Sequence, residues 1–314
     1  DRDDPHLGLL DALRDLRGKT MATVSSPVRP AAQMSMWLVL KKNRWWQQAL
    51  KHLLLIGLGI IFFFPFIWLV LTSFKSAAEI AMIPPPFFPR VWRWQNYVQA
   101  VTVIPFFQYF LNTFFIFVAK AIGAVISCSL AAYGFSRLEW PGRDKVFLLV
   151  LATMMLPFQV TMIPLYIIFT RLEWIGSYYP LIVPSWFGYA YAIFLFRQFF
   201  RTIPGELSEA ARIDGCSEPR IYAQIILPLA KPALATLVLF EFMWTWNDFF
   251  RPLLYLNDPA RWTLTLGLLQ FRSSRETMWE LLMAAATLTT LPSIVIYFFG
   301  QKTFIQGIAT TGFK

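Results

Sequence analysis

The apolar residues of this chain fall in long blocks, not at the three- and four-residue spacing of a soluble amphipathic helix. A helix needs about 20 largely apolar residues to cross the hydrocarbon core of a bilayer. Six blocks meet or approach that length: roughly 52–73, 108–134, 146–170, 180–200, 233–256 and 281–300. Pro65, Pro157, Pro164 and Pro292 lie inside three of them. Each interrupts the helical ladder, and in lipid the freed carbonyls need partners on neighbouring helices, so the spans are expected to pack as a bundle. Ahead of the first block, Lys41, Lys42, Arg44, Trp45 and Trp46 read as an interfacial anchor. The pattern predicts an all-α integral membrane protein with six transmembrane helices. Its parts are an N-terminal region and anchor over 1–51 and a six-span domain over 52–314.

Composition supports that reading. Hydrophobic residues make up 57% of the 314, aromatics 18% and charged residues 15%, against about 25% charged in soluble domains. There are too few charges to cover a soluble surface. The net charge of +10 raises nucleic-acid binding, but the Lys and Arg cluster at block ends and form no basic stripe. With six spans, 19 Lys/Arg fall on the side of the termini and 8 on the other, leaving Lys120 inside a span. The positive-inside rule then places both termini, and the loop between spans four and five, in the cytoplasm.

Two cysteines and two histidines exclude a disulfide framework and a His-rich metal site. Residues 1–20 differ in character from the rest, and Met21 reads as a start with an upstream extension before it. Arg17-Gly18-Lys19-Thr20 looks like the end of a phosphate-binding loop. Position 13, where that motif needs Gly, is Leu, and no strand precedes it. The chain is therefore not expected to bind a nucleotide, a metal or any other cofactor.

The polar segment 204–232 stands out from this background. Pro204 suits a first helical turn, and Glu206 and Glu209 suit the positive end of a helix. Gly215 supplies a cheap positive φ for a helix stop, and Ser217 can cap a second helix whose apolar face holds Ile221, Tyr222 and Ile225. Pro228 and Pro232 mark the bend into the fifth span. Two short helices at the membrane face fit a groove on another protein.

Glu209, Ala210, Ala211, Asp214 and Gly215, with Ile225, Leu227 and Pro228 downstream, resemble the EAA loop of binding-protein-dependent ABC importer permeases. "LAAYGFSRLEWPGR" (130–143), "LPFQVTMIPLY" (156–166), "RQFFRTIPGELSEAARIDG" (197–215), "WNDFFRPLLYL" (246–256) and "TLTLGLLQF" (263–271) extend the likeness over roughly 50–314, to the maltose-type, carbohydrate-uptake branch. Cys216 and Tyr222 are mild departures, where Ala and Phe are usual. The resemblance implies a bacterial inner-membrane permease subunit whose loop 204–232 is a coupling helix between spans four and five, with Glu209, Ala210, Ala211, Asp214 and Gly215 carrying the contact. It implies as partners a second permease subunit, two ATP-binding cassette subunits that hold ATP and Mg, an extracytoplasmic solute-binding protein and a carbohydrate substrate. Hydrolysis would then occur on the partners, and this chain is no enzyme. The C-terminal "QGIATTGFK" is similar to a family tail that reaches toward the ATPases, and also fits a disordered end.

Polar side chains within spans are costly and invite a functional reading. Asn247 and Asp248, flanked by Trp244 and Trp246, suit a sugar's C–H faces and hydroxyls, and equally suit bonds between helices. Gln159, Thr161 and Tyr166, on the proline-broken third span, are second-rank pathway positions. Lys120 is left with three roles: snorkelling, pairing with a carboxylate or lining the cavity. Gly123, Ser127 and Ala131 share a face and mark close helix packing. The Pro-rich outer loop 74–105 suits either a binding-protein dock or a wrap against a partner. A glycerol-phosphate importer is the alternative, disfavoured because Lys120 is the one clear intramembrane cation. A secondary transporter would show repeats or charged pathway helices and leaves 204–232 without a purpose.

Overall fold

The computed structural model describes the backbone of residues 31–272 and 277–312 and the side chains of 45–272 and 277–301. Met21, the rejected phosphate-loop-like tetrapeptide and the side chains of the C-terminal tail lie outside those residues. The described chain is helical, and its one ladder contact is an isolated bridge between Arg272 and Thr277. We number the main helices α1 (Ala31–Ser73), α2 (Phe106–Ser136), α3 (Arg143–Ala152), α4 (Phe158–Arg171), α5 (Ala190–Thr202), α6 (Glu206–Ile213), α7 (Lys231–Trp246) and α8 (Trp279–Gly312).

Four stretches are long and apolar enough to span a membrane: Trp45–Ser73, Phe106–Ser136, Tyr179–Thr202, which is interrupted at Gly188 and Tyr189, and Trp279–Gln301. Two more blocks are bent pairs. Arg143–Met155 meets α4 at 96°, and Glu218–Leu229 meets α7 at 76°. The first bend follows from Pro157, which caps α4 and holds Leu156 in an extended conformation (ψ 111°). The second lies at Ala230, between Pro228 and Pro232.

The fifth apolar block ends earlier than its hydropathy predicts. α7 stops at Trp246, and a separate turn covers Phe250–Tyr255. Asn247 donates its side-chain amide to Met243 O at 2.8 Å, while Asp248 Oδ1 accepts the Arg251 N–H at 3.2 Å. Both side chains compete with the helical ladder for backbone groups and so end it.

Among the described residues, 65–312 belong to one compact unit and 31–64 to a second. Within the larger unit α2 is the axis. Its C-terminal half packs with α5 and the 221–237 stretch through Ala124, Cys128, Ala132, Phe196, Phe200 and Ile221. Its N-terminal half packs with α7 and α8 through Phe106, Tyr109, Phe242, Trp246 and Ala284. The small-residue face of α2 is close packing, as its spacing predicts. A Cβ at Gly123 would overlap the Trp186 indole, whose Nε1 donates to Ala119 O at 3.1 Å. One turn on, Ser127 Oγ donates to Ser185 O at 3.0 Å.

The loop after α1 is folded and latched. Glu79, 6% exposed, accepts from Ser76 N–H (2.8 Å) and Arg90 N–H (2.8 Å), and Ser76 in turn caps the helix Ala77–Ile80. Those donors, the Ser76 N–H first, hold the Glu79 carboxyl below its ordinary range. The Asn96 amide bridges Ser73 O and Lys75 O at 2.8 and 2.9 Å. Buried Lys75 lies over the Trp68 ring at 4.2 Å, and burial pushes its ammonium down.

Candidate functional site

Two polar constellations break the apolar fold, one at an end of the spans and one within them. The first is the segment 204–232. α6 begins at Glu206, two residues after the expected Pro204, with Glu206 and Glu209 in its first turn. It closes as the sequence predicts. Gly215 adopts φ +80°, its N–H bonds to Arg212 O at 3.0 Å, and Cys216 N–H bonds to Ala211 O at 2.9 Å. These two bonds form a Schellman stop. Glu209, Ala210, Asp214 and Gly215 are exposed and Ala211 is buried, so four of the five motif positions face outward while the fifth seats the helix.

The second helix differs from the expected face. Ser217 holds the N-cap position without a side-chain cap bond, and Tyr222–Ile226 forms a π-helical turn. A π turn pairs residues five apart, so Ile226 joins Ile221 in full burial while Ile225 is only partly covered. The segment is braced on α2. Arg212 Nε donates to Glu218 Oε1 at 2.6 Å, and Tyr133 OH donates to Glu218 Oε2 at 2.5 Å. Tyr222 OH bonds Ser129 Oγ at 2.7 Å. The Glu218 hydrogen bond holds the Arg212 guanidinium above its ordinary range. Arg137, at the end of α2, donates to Phe200 O and to Ile203 O (2.6 Å), which fixes the approach to α6.

The second constellation joins α2, α7 and the start of α5. Lys120 Nζ donates to Thr245 Oγ1 at 2.9 Å and lies 3.5 Å from Glu241 Oε2. Tyr189 OH donates to Glu241 Oε1 at 2.7 Å. Lys120 and Glu241 are both buried, so of its three expected roles Lys120 takes the paired one, and it also edges a small cavity of about 10 Å³ with Thr245, Asp248, Arg251 and Thr263. Glu241 is the member of this cluster that the sequence reading missed. A lone carboxylate amid "LVLFEFMW" was the available signal.

The pathway positions do not converge. Trp244 is exposed and packs with Tyr189, Tyr191 and Phe240. Trp246 is enclosed, with Nε1 donating to Thr289 O at 2.8 Å. Residues two apart on a helix point about 200° apart, so one indole faces out and the other serves the core. Asn247 and Asp248 act as helix terminators. Gln159 is exposed, Thr161 Oγ1 bonds Phe158 O at 3.1 Å, and the Tyr166 and Tyr255 rings stack at 6.3 Å.

Comparison with known proteins gives this geometry a family. Residues 123–310 match the model of the binding-protein-dependent transport system inner membrane component. The chain belongs to that family. The arabinooligosaccharides transport system permease protein AraQ of Halalkalibacterium halodurans is 32% identical over 271 residues, covering 84% of this chain and 97% of its own length. The diacetylchitobiose uptake system permease protein NgcG of Streptomyces coelicolor is 31% identical, over 85% of this chain and 89% of that protein. The sn-glycerol-3-phosphate transport system permease protein UgpE of Rhizobium meliloti is 34% identical, over 83% and 95%. A chain of a bacterial ABC transporter that imports the acidic polysaccharide alginate superposes with a TM-score of 0.74 at 23% identity, over 83% of this chain and 97% of that one. The protein is thus an inner-membrane ABC importer permease, and its fold is the fold of that transporter chain.

Proposed function

We propose that this permease forms, with a second permease, the translocation pathway for a di- or oligosaccharide or a sugar-like osmolyte handed over by an extracytoplasmic binding protein. ATP and Mg are held by two separate ATPase subunits. Arg143–Arg171 then counts as one bent span and α7 as another, giving six, and the basic-residue distribution supports a cytoplasmic position for both termini and the 204–232 loop. The observation that carries the reading is the exposed α6, stopped at Gly215 and braced on α2 through Arg212, Glu218 and Tyr133. α6 is the coupling helix. It sits in a groove of an ATPase subunit, and closure of the ATPase pair on ATP rocks the spans between inward-open and outward-open.

The named substrates of AraQ and NgcG support a sugar. The pairing of Lys120 with Glu241 agrees, because it cancels the intramembrane charge that an anionic solute would use. The likeness to UgpE favours a second reading, glycerol phosphate. One experiment tests both. The complex is purified from its host and its ATPase is measured with the binding protein loaded with each solute. Stimulation by a neutral oligosaccharide is expected. Stimulation by glycerol phosphate alone would replace the substrate, and failure of any ATPase subunit to copurify would refute the coupling role.

A further inference from the structure

Beside the coupling segment, at the same end of the spans, an open cavity of about 420 Å³ lies between α2, α3 and α5. Three guanidiniums line it, from Arg143, Arg197 and Arg201, against one carboxylate, Asp144. Asp144 Oδ1 serves two of them, lying 2.9 Å from Arg197 Nη2 and 3.5 Å from Arg143 Nε. Arg201 is exposed and makes no ion pair among the described residues. The Arg197 side chain is only 10% exposed. It is fixed by Phe135 O at 3.1 Å and by the Phe147 ring at 4.0 Å.

Positive-inside topology accounts for basic residues at a span end. It does not account for three that converge on one cavity with one counter-charge, since like charges at that spacing repel. The surplus leaves positive charge that an anion can meet. The rest of the lining says which kind. Leu148, on the cavity wall, is 67% exposed, and it continues an outward apolar face with Leu149. Leu148 is five residues along α3 from Arg143, about 7.5 Å toward the membrane interior. Trp140 lines the adjoining cleft with Arg143 and Asp144, and Trp is enriched where membranes meet water. A charged mouth above an apolar wall fits an amphiphile.

We propose that this cavity is a binding site for the phosphodiester headgroup of an anionic phospholipid, held by Arg143 and Arg201 over the Arg197–Asp144 floor, with an acyl chain along Leu148. Basic pockets between spans on the cytoplasmic side take such headgroups. The site abuts the coupling segment through Arg197 and Arg201 of α5, the helix that leads into α6. It rests on membrane insertion with this end of the spans cytoplasmic, so a failure of the transport reading leaves it standing.

The test uses the purified complex in nanodiscs holding equal parts phosphatidylglycerol and phosphatidylcholine, with retained lipid counted by native mass spectrometry after partial delipidation. Phosphatidylglycerol should be retained in preference. Arg143→Gln and Arg201→Gln should each reduce its retention about fivefold. Arg201→Lys should preserve most of it, and Arg171→Gln, remote in the chain, should change nothing. Inorganic phosphate at about 10 mM should not displace the lipid. Equal retention of the two lipids, unchanged retention in Arg201→Gln, or displacement by inorganic phosphate would each overturn the proposal, the last by showing a site for a free anion. Arg201 is exposed and unpaired, so Arg201→Gln and Arg201→Lys decide the matter even if Arg143→Gln fails to assemble.

Discussion

Removing one member of the Lys120–Glu241 pair should damage the protein more than removing both. At 3.5 Å, with an effective dielectric of about 20, the attraction is about 5 kcal/mol. Burial of the two charges offsets it by several kcal/mol per ion, so the pair as a whole adds little over a well-packed apolar substitute. Lys120→Met leaves the buried Glu241 carboxyl with the Tyr189 hydroxyl as its remaining partner among the described residues. Glu241→Leu leaves the ammonium with Thr245 Oγ1. Each single change should cost about 3–5 kcal/mol. The double variant Lys120→Met/Glu241→Leu should recover about 2–4 kcal/mol of the summed loss, which is the coupling energy of a double-mutant cycle. The assay is thermal unfolding of the four proteins in nanodiscs, each with its partner subunits. Additive losses, or single variants within about 1 kcal/mol of the parent, would refute the reasoning and demote Lys120 to a snorkelling cation.

Four further outcomes are expected. Glu218→Gln weakens a half-exposed ion pair worth about 0.2–1 kcal/mol. It should lower solute-stimulated ATP hydrolysis twofold to fivefold while basal hydrolysis and assembly persist, whereas Gly215→Pro or Glu209→Lys should abolish uptake outright with insertion intact. Gly123→Val forces a side chain into the Trp186 indole and should cost about 1–3 kcal/mol of thermal stability through overpacking. The outer loop should loosen in acid. The folded-state pKa of Glu79 lies below its unfolded value, about 4.3, so its contribution is complete above that value and is lost as pH falls through the lower folded one. Amide exchange at Ser76 and Arg90 should therefore rise below about pH 4 relative to other loop amides, and Glu79→Gln should abolish the difference.

Hydropathy found the apolar blocks because bilayer thickness sets their length. Proline marked the bends at Pro157 and at Pro228 and Pro232, whereas the helices run on through Pro65, Pro164 and Pro292. Hydropathy failed at Asn247, since counting apolar residues is blind to side chains that compete for the backbone. Glycine chemistry located the α6 stop to the residue, because positive φ is a local requirement. The face of the second short helix was missed by one position. That reading assumed 3.6 residues per turn, and nothing local to Tyr222–Ile226 announces a π turn. Lys120 was recognised, but its partner lies 121 positions away, and Glu241 was passed over inside a block read as uniformly apolar. The Trp244–Trp246 disagreement was legible in principle, since helical geometry alone forbids both indoles from facing one solute.

The two polar constellations share α2. Lys120 ties its middle to α7, and Ser129 and Tyr133 tie its end to the coupling segment. Thirteen residues of helix separate Lys120 from Tyr133, about 20 Å at 1.5 Å per residue, and an apolar core packs that stretch against α5 throughout. A packed helix transmits a tilt where a flexible linker would absorb it. In the proposed coupling role, motion of the 204–232 loop would reach α7 by two routes: directly along the chain through the bend at Ala230, and across α2 through the buried ion pair. The second route explains why a charge pair of small net stability sits in the membrane. It ties α2 to α7 through Lys120, Thr245 and Glu241, and so holds one helix in register with the other.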